Sequence, residues 1–158
     1  MNLITFDNII KDPEQYVKEI EAYGFQEIAS GDKTFSNIQP RGNDDEFAKY
    51  MLTLFPGYKI KWNVVRKSDP SETSNRLNLD GMTGDITAVL SLTEPENDGE
   101  EGIVLFDEEH NVLCSVYSRF NRMIAFDATA IKDKDAYELT AKKETVKLTQ
   151  VIFLEENE

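Results

Sequence analysis

Histidine, cysteine and tryptophan each occur once in the 158 residues, and 17 basic side chains face 30 acidic ones, for a formal charge of −13. Each scarcity excludes something. A single thiol makes neither an intrachain disulfide nor a cysteine-rich zinc site, which points to a reducing compartment. One imidazole rules out any scheme that needs two from the same chain. The negative excess repels phosphate backbones, so nucleic acid is not an expected partner. No apolar run approaches the roughly 18 residues needed to cross a bilayer, and MNLITFDNIIKD lacks the basic start of a leader, so no membrane role is expected either. What is present is a 40% hydrophobic fraction, enough to fill the core of one domain spanning residues 1–158.

Periodicity places two helices near the front. Asp12 is a helix cap, Pro13 suits the first helical position, Gln15 completes a capping box, and Tyr16, Val17, Ile20 and Tyr23 share a face before Gly24. A second helix starts near Asn43 or Asp44, carries Phe47, Tyr50, Met51 and Leu54, and stops at Pro56-Gly57. From Tyr58 the period becomes two, putting Ile60, Trp62 and Val64 on one face and Lys59, Lys61 and Asn63 on an exposed one. Strands are also expected at Leu3–Phe6, Ile86–Leu92, Gly102–Phe106, Val112–Tyr117, Met123–Phe126 and Val146–Leu154. Short strands at this spacing after two helices predict a β-sandwich or barrel with the helices on one outer face.

Isolated chemical signals are weak. The acidic run Glu94–Glu101 lacks EF-hand spacing and reads as a solvated hairpin loop. His110, between Asp107-Glu108-Glu109 and Asn111, reads as a turn residue, and Cys114 as a small core residue of a strand. The cationic groups Lys59/Lys61 with Arg66/Lys67, and Arg119/Arg122 with Lys132/Lys134, read as charge balance on an acidic protein.

The run from Arg76 to Leu92, RLNLDGMTGDITAVLSL, resembles the iron(II)/2-oxoglutarate-dependent dioxygenases, in particular their small prolyl-hydroxylase-like phage and bacterial branch. There a His-x-Asp metal pair precedes Gly-Asp and a buried strand. Gly102–Phe106, Phe120–Ala128 and Lys147–Phe153 are similar to later strands of that family, so the likeness covers most of the chain. It implies an α+β, mainly β fold: a double-stranded β-helix, or jelly roll, with two N-terminal helices packed on one sheet.

It also implies where the chemistry would sit, and there the sequence departs. Asn78 stands at the first His position, Asp80 keeps the carboxylate, and Lys132 falls at the distal His. An amide is a poor iron(II) ligand and an ammonium repels a divalent cation. Lys147 replaces the oxoglutarate-binding Arg and retains the charge without the bidentate fork, so it can still meet an organic acid. The expectation is a non-catalytic binding or assembly protein with no cofactor, where the family would use iron(II) and 2-oxoglutarate. Its partner would be a protein within a larger assembly, in the cytoplasm or, for a phage-derived chain, in the host cytoplasm or virion as a structural component. The alternative is an active oxygenase with an atypical site built from Asp80 with Asp127, Asp133 or Asp135.

Overall fold

A computed structural model describes residues 3–30, 33–68, 85–93, 102–106, 109, 111–127, 137–140 and 147–158. The described elements run β1 (Leu3–Asp7), α1 (Pro13–Tyr23), β2 (Gln26–Ser30), β3 (Lys33–Pro40), α2 (Glu46–Leu54), β4 (Tyr58–Ser68), β5 (Ile86–Ser91), β6 (Gly102–Phe106), β7 (Val112–Tyr117), β8 (Arg122–Asp127), β9 (Tyr137–Thr140) and β10 (Lys147–Glu156). They form an antiparallel seven-stranded sheet, ordered β1-β8-β5-β10-β4-β3-β2, and a three-stranded sheet, β7-β6-β9. The expected jelly roll with two helices on one sheet is the fold observed.

Both helices begin where side chains satisfy their free amides. Asp12 accepts from Gln15 N at 3.2 Å, but the Gln15 amide donates forward to Glu19, so only half of the expected capping box forms. The α2 cap is Asp45, not Asn43 or Asp44, and accepts from Ala48 N at 3.1 Å. α1 ends at Gly24, whose φ of 77° is costly for a residue with a Cβ. There Gln39 of β3 donates to the carbonyls of Ile20 and Gly24 at 2.7 and 2.8 Å, closing the helix end with a side chain from a strand.

The large sheet is buried on both faces. Towards the helices, Val65, Ala88, Leu90, Met123, Ala125, Leu148, Ile152 and Leu154 pack with Ile10, Tyr16, Ile20, Phe47, Ala48 and Met51. The other face carries Ile38, Val64, Val89, Ile124, Phe126, Val151 and Phe153, against which Trp62 and Val116 pack. Val116 belongs to β7, so the small sheet lies over this second face.

β4 departs from its expected phase. Phe153 pairs with Trp62 but Leu154 pairs with Ile60, leaving Lys61 as an extra residue in a β-bulge. Trp62 and Val64 therefore face the small sheet while Ile60 packs on the helix side. The face expected to be exposed holds Asn63, which is only 4% exposed. Strands β2, β3 and β9 were not expected either. In β3 one residue more than in β2 lies between the pairs Gln26–Ile38 and Ile28–Phe35, and Asn37 takes a left-handed φ of 58° in that stretch.

Asn121, just before β8, ties the front of the chain to the sheet. Its buried side chain accepts from Ile10 N and donates to Ile10 O, both at 2.8 Å, while its backbone N–H donates to Ser91 O at 2.8 Å. One amide thus satisfies both backbone groups of a buried residue that no strand pairs.

Candidate functional site

Successive β10 residues point to opposite faces of the large sheet. Leu148, Ile152 and Leu154 lie on the helix side, so Lys147, Thr149, Val151 and Phe153 share the face beneath the small sheet. Register extends this into cross-strand rows. Phe153 is flanked by Trp62 and Thr87, and Val151 by Val64 and Val89. Thr149 is flanked by Arg66 and Ser91, and Ser91 Oγ lies 3.3 Å from Ser118 Oγ, just beyond β7.

The face is thus apolar at the Phe153 end and polar at the β10 start, where Arg66 and Lys147 stand diagonally across two neighbouring strands. Two cations and three hydroxyls at one end of an apolar interior are the chemistry that orients a small organic acid. Thr87, in the apolar row, is fully buried, and its hydroxyl has no hydrogen-bond partner among the described residues.

Of the site residues expected from sequence, Lys147 lies on this face. Asn78, Asp80 and Lys132 lie outside the described residues, as do His110 and the acidic run 94–101. Cys114 is a free, half-buried thiol on β7. Four members of the cationic groups pair with carboxylates: Lys59 with Glu155 at 3.3 Å, Lys67 with Glu21 at 3.0 Å, and Arg119 and Arg122 with Asp7 at 3.5 and 2.6 Å, while Lys132 and Lys134 lie outside the described residues. The hydrogen bond from Arg122 holds the Asp7 carboxyl below its usual range.

On the helix side of the same sheet lies a polar cluster that periodicity did not reveal. Asp45 Oδ2 accepts from Arg41 Nε at 2.8 Å, Gln150 Nε2 at 2.9 Å and the Tyr16 hydroxyl at 3.0 Å. Gln150 Nε2 also donates to Asn63 Oδ1 at 2.7 Å, and Asn63 Nδ2 to Gly42 O at 3.0 Å. Arg41 adds a bond to Gln39 Oε1 at 3.0 Å and stacks its guanidinium 5.5 Å from the centre of the Tyr16 ring. One readable signal existed: Gln150 interrupts the inward series Leu148, Ile152, Leu154, and a polar residue there needs partners.

With its oxygens already occupied, the Asp45 carboxylate ties α1, α2 and β10 to Arg41, just beyond β3, and is not poised for chemistry. Its effect on Tyr16 is measurable. Burial, followed by the nearby Asp45 charge, pushes the Tyr16 hydroxyl well above its usual value of 10.0. The folded state then holds the phenolic proton more tightly than the unfolded state. Its contribution is complete below pH 10 and is lost as pH rises from there towards the folded value. Urea denaturation at increasing pH should show stability falling above about pH 10, with a shallower fall in Tyr16→Phe. Equal slopes in both proteins would contradict this.

The two opposed sheets, with helices on the larger one, share their fold with solved prolyl hydroxylases and with HygX. Similar solved structures are a prolyl hydroxylase from Trichoplax adhaerens in complex with a peptide fragment of the hypoxia inducible factor oxygen degradation domain, at 14% identity and TM-score 0.60, covering 96% of this chain and 82% of that one. HygX from Streptomyces hygroscopicus with iron bound matches at 11% identity and TM-score 0.57, covering 95% and 80%. A prolyl-4-hydroxylase of Pseudomonas putida matches at 11% identity and TM-score 0.50, covering 99% and 92%. At these identities the likeness is one of fold. No family model matches the sequence, and no curated protein does.

Proposed function

We propose that the chain is a non-catalytic binding or assembly component that keeps the oxygenase double sheet as a scaffold and acts through a protein partner, as a virion structural protein of a phage would. The observation that carries this reading is the single histidine of the chain, His110. A facial iron site takes two imidazoles and one carboxylate. The donor set at the corresponding positions, the amide of Asn78, the carboxylate of Asp80 and the ammonium of Lys132, does not fit iron(II). No oxygen-activating step is assigned to it.

Two further observations support a binding role. The Trichoplax prolyl hydroxylase of similar fold is in complex with a peptide, which supports a polypeptide partner for this chain. Lys147 shares the inter-sheet face with Arg66 and Thr149, which suits an organic acid as a bound ligand without turnover. Among the described residues, no helix is long and apolar enough to cross a membrane.

Incubation with iron(II), oxygen and 2-oxoglutarate tests the proposal. The expected result is no metal-dependent loss of 2-oxoglutarate. Measurable turnover that disappears in Asp80→Ala would overturn it in favour of the carboxylate site of Asp80 with Asp127, Asp133 or Asp135.

A further inference from the structure

We propose that β1 pairs with the β1 of a second copy of this chain, in antiparallel register about a two-fold axis through Thr5, and so joins the two large sheets into one. β1 is an edge strand, and among the described residues it pairs only with β8. Natural edges are usually guarded by lysine, proline or an exposed charge. The sequence LITFD has only Asp7, and both its oxygens are drawn back onto β8 by Arg122, Nε to Oδ1 at 2.6 Å and NH2 to Oδ2 at 3.1 Å. The one charge on the strand is thereby neutralised by its own neighbour.

The two remaining large side chains are matched for self-pairing. Ile4 and Phe6 stand opposite Ala125 and Met123, on the helix side of the sheet, and are 36% and 43% exposed. In a register centred on Thr5, Ile4 of each copy faces Phe6 of the other, so both apolar side chains gain a cross-strand partner. Leu3 then faces Asp7, and Thr5 faces Thr5.

Charge selects the same arrangement. At the Leu3 end, a cleft of about 380 Å³ is lined by Ile4, Tyr58 and Ile86 together with Asp85, Asp127 and Glu156, and, among the described residues, by no Lys or Arg. At the Asp7 end, Arg119 and Arg122 share one carboxylate, and Arg119 is 67% exposed. Antiparallel pairing brings the acidic end of each copy beside the cationic end of the other. Parallel pairing would set like beside like. Screening at physiological salt confines the repulsion between two net-acidic molecules to short range, so these local contacts decide the outcome.

Sedimentation equilibrium on the full chain tests the pairing. The expected result is a dimer, with Ile4→Lys and Phe6→Glu each weakening it by about tenfold or more. Both positions are partly exposed, and far-UV circular dichroism verifies that the variants fold. The double variant Ile4→Lys/Phe6→Glu should recover much of the affinity, because each new ammonium then faces a new carboxylate on the other copy. A monomeric parent chain, a dimer insensitive to both single substitutions, or a double variant no tighter than the singles would overturn the proposal.

Discussion

Asp45→Ala should lower the unfolding free energy by about 3–5 kcal/mol, as measured by urea denaturation, because it strands a buried cation. The carboxylate side chain is 5% exposed and the Arg41 side chain 15%. Without Asp45, Arg41 keeps its bond to Gln39 but loses its counter-ion, while Gln150 and Tyr16 lose an acceptor in the interior. The α2 cap disappears with it, a share worth about 1 kcal/mol. Asp45→Asn separates these effects, since asparagine caps as well as aspartate does but carries no charge. It should retain the cap share and lose the rest. A domain of this kind is stable by about 5–15 kcal/mol, so the alanine variant approaches the limit of folding. A loss under about 1 kcal/mol would mean that water replaces the carboxylate, contrary to the packing around it.

Phe153→Ala should cost a similar amount, about 3–5 kcal/mol, by a different route. Phe153 is fully buried beneath the small sheet, between Trp62 on β4 and Thr87 on β5 in the central strands. Those strands are paired on both sides and cannot close in on the space left behind, so the cavity term adds to the lost transfer energy. Phe6→Ala is the internal control. Phe6 lies on an edge and is 43% exposed, so the isolated chain should lose far less. Comparable losses at the two positions would show that the sheets slide together to fill the gap.

Both predictions rest on contacts that differ in how legible they are from sequence. Phe153 sits in VIFL, a continuous apolar run that marks a strand covered on both faces. Asp45 belongs to Asn43-Asp44-Asp45, three residues equally able to cap a helix. What selects the third is its second oxygen, which meets Arg41 four residues earlier and Tyr16 and Gln150 from elements remote in sequence. The phase of β4 was unreadable for a related reason. Alternation assumes a regular strand, and the bulge at Lys61 exists only in the pairing with β10. β2 and β3 were hidden because Gln39, inward-facing and polar, serves the end of α1 and breaks the apolar signal of its own strand. At the candidate site, Lys147 was placed by resemblance and lies on the inter-sheet face, whereas the role of Arg66 and Thr149 beside it required the register.

The bond between Asn121 and Ile10 also sets a timetable. These residues are 111 positions apart, and β1 pairs only with β8 among the described strands. At a synthesis rate of about 5–20 residues per second, LITFD therefore waits on the order of ten seconds outside the ribosome before its partner strand is made. For that interval the strand is a bare template for any extended chain nearby, including the β1 of an adjacent nascent copy. Assembly during translation and aggregation during translation would then compete for the same five residues.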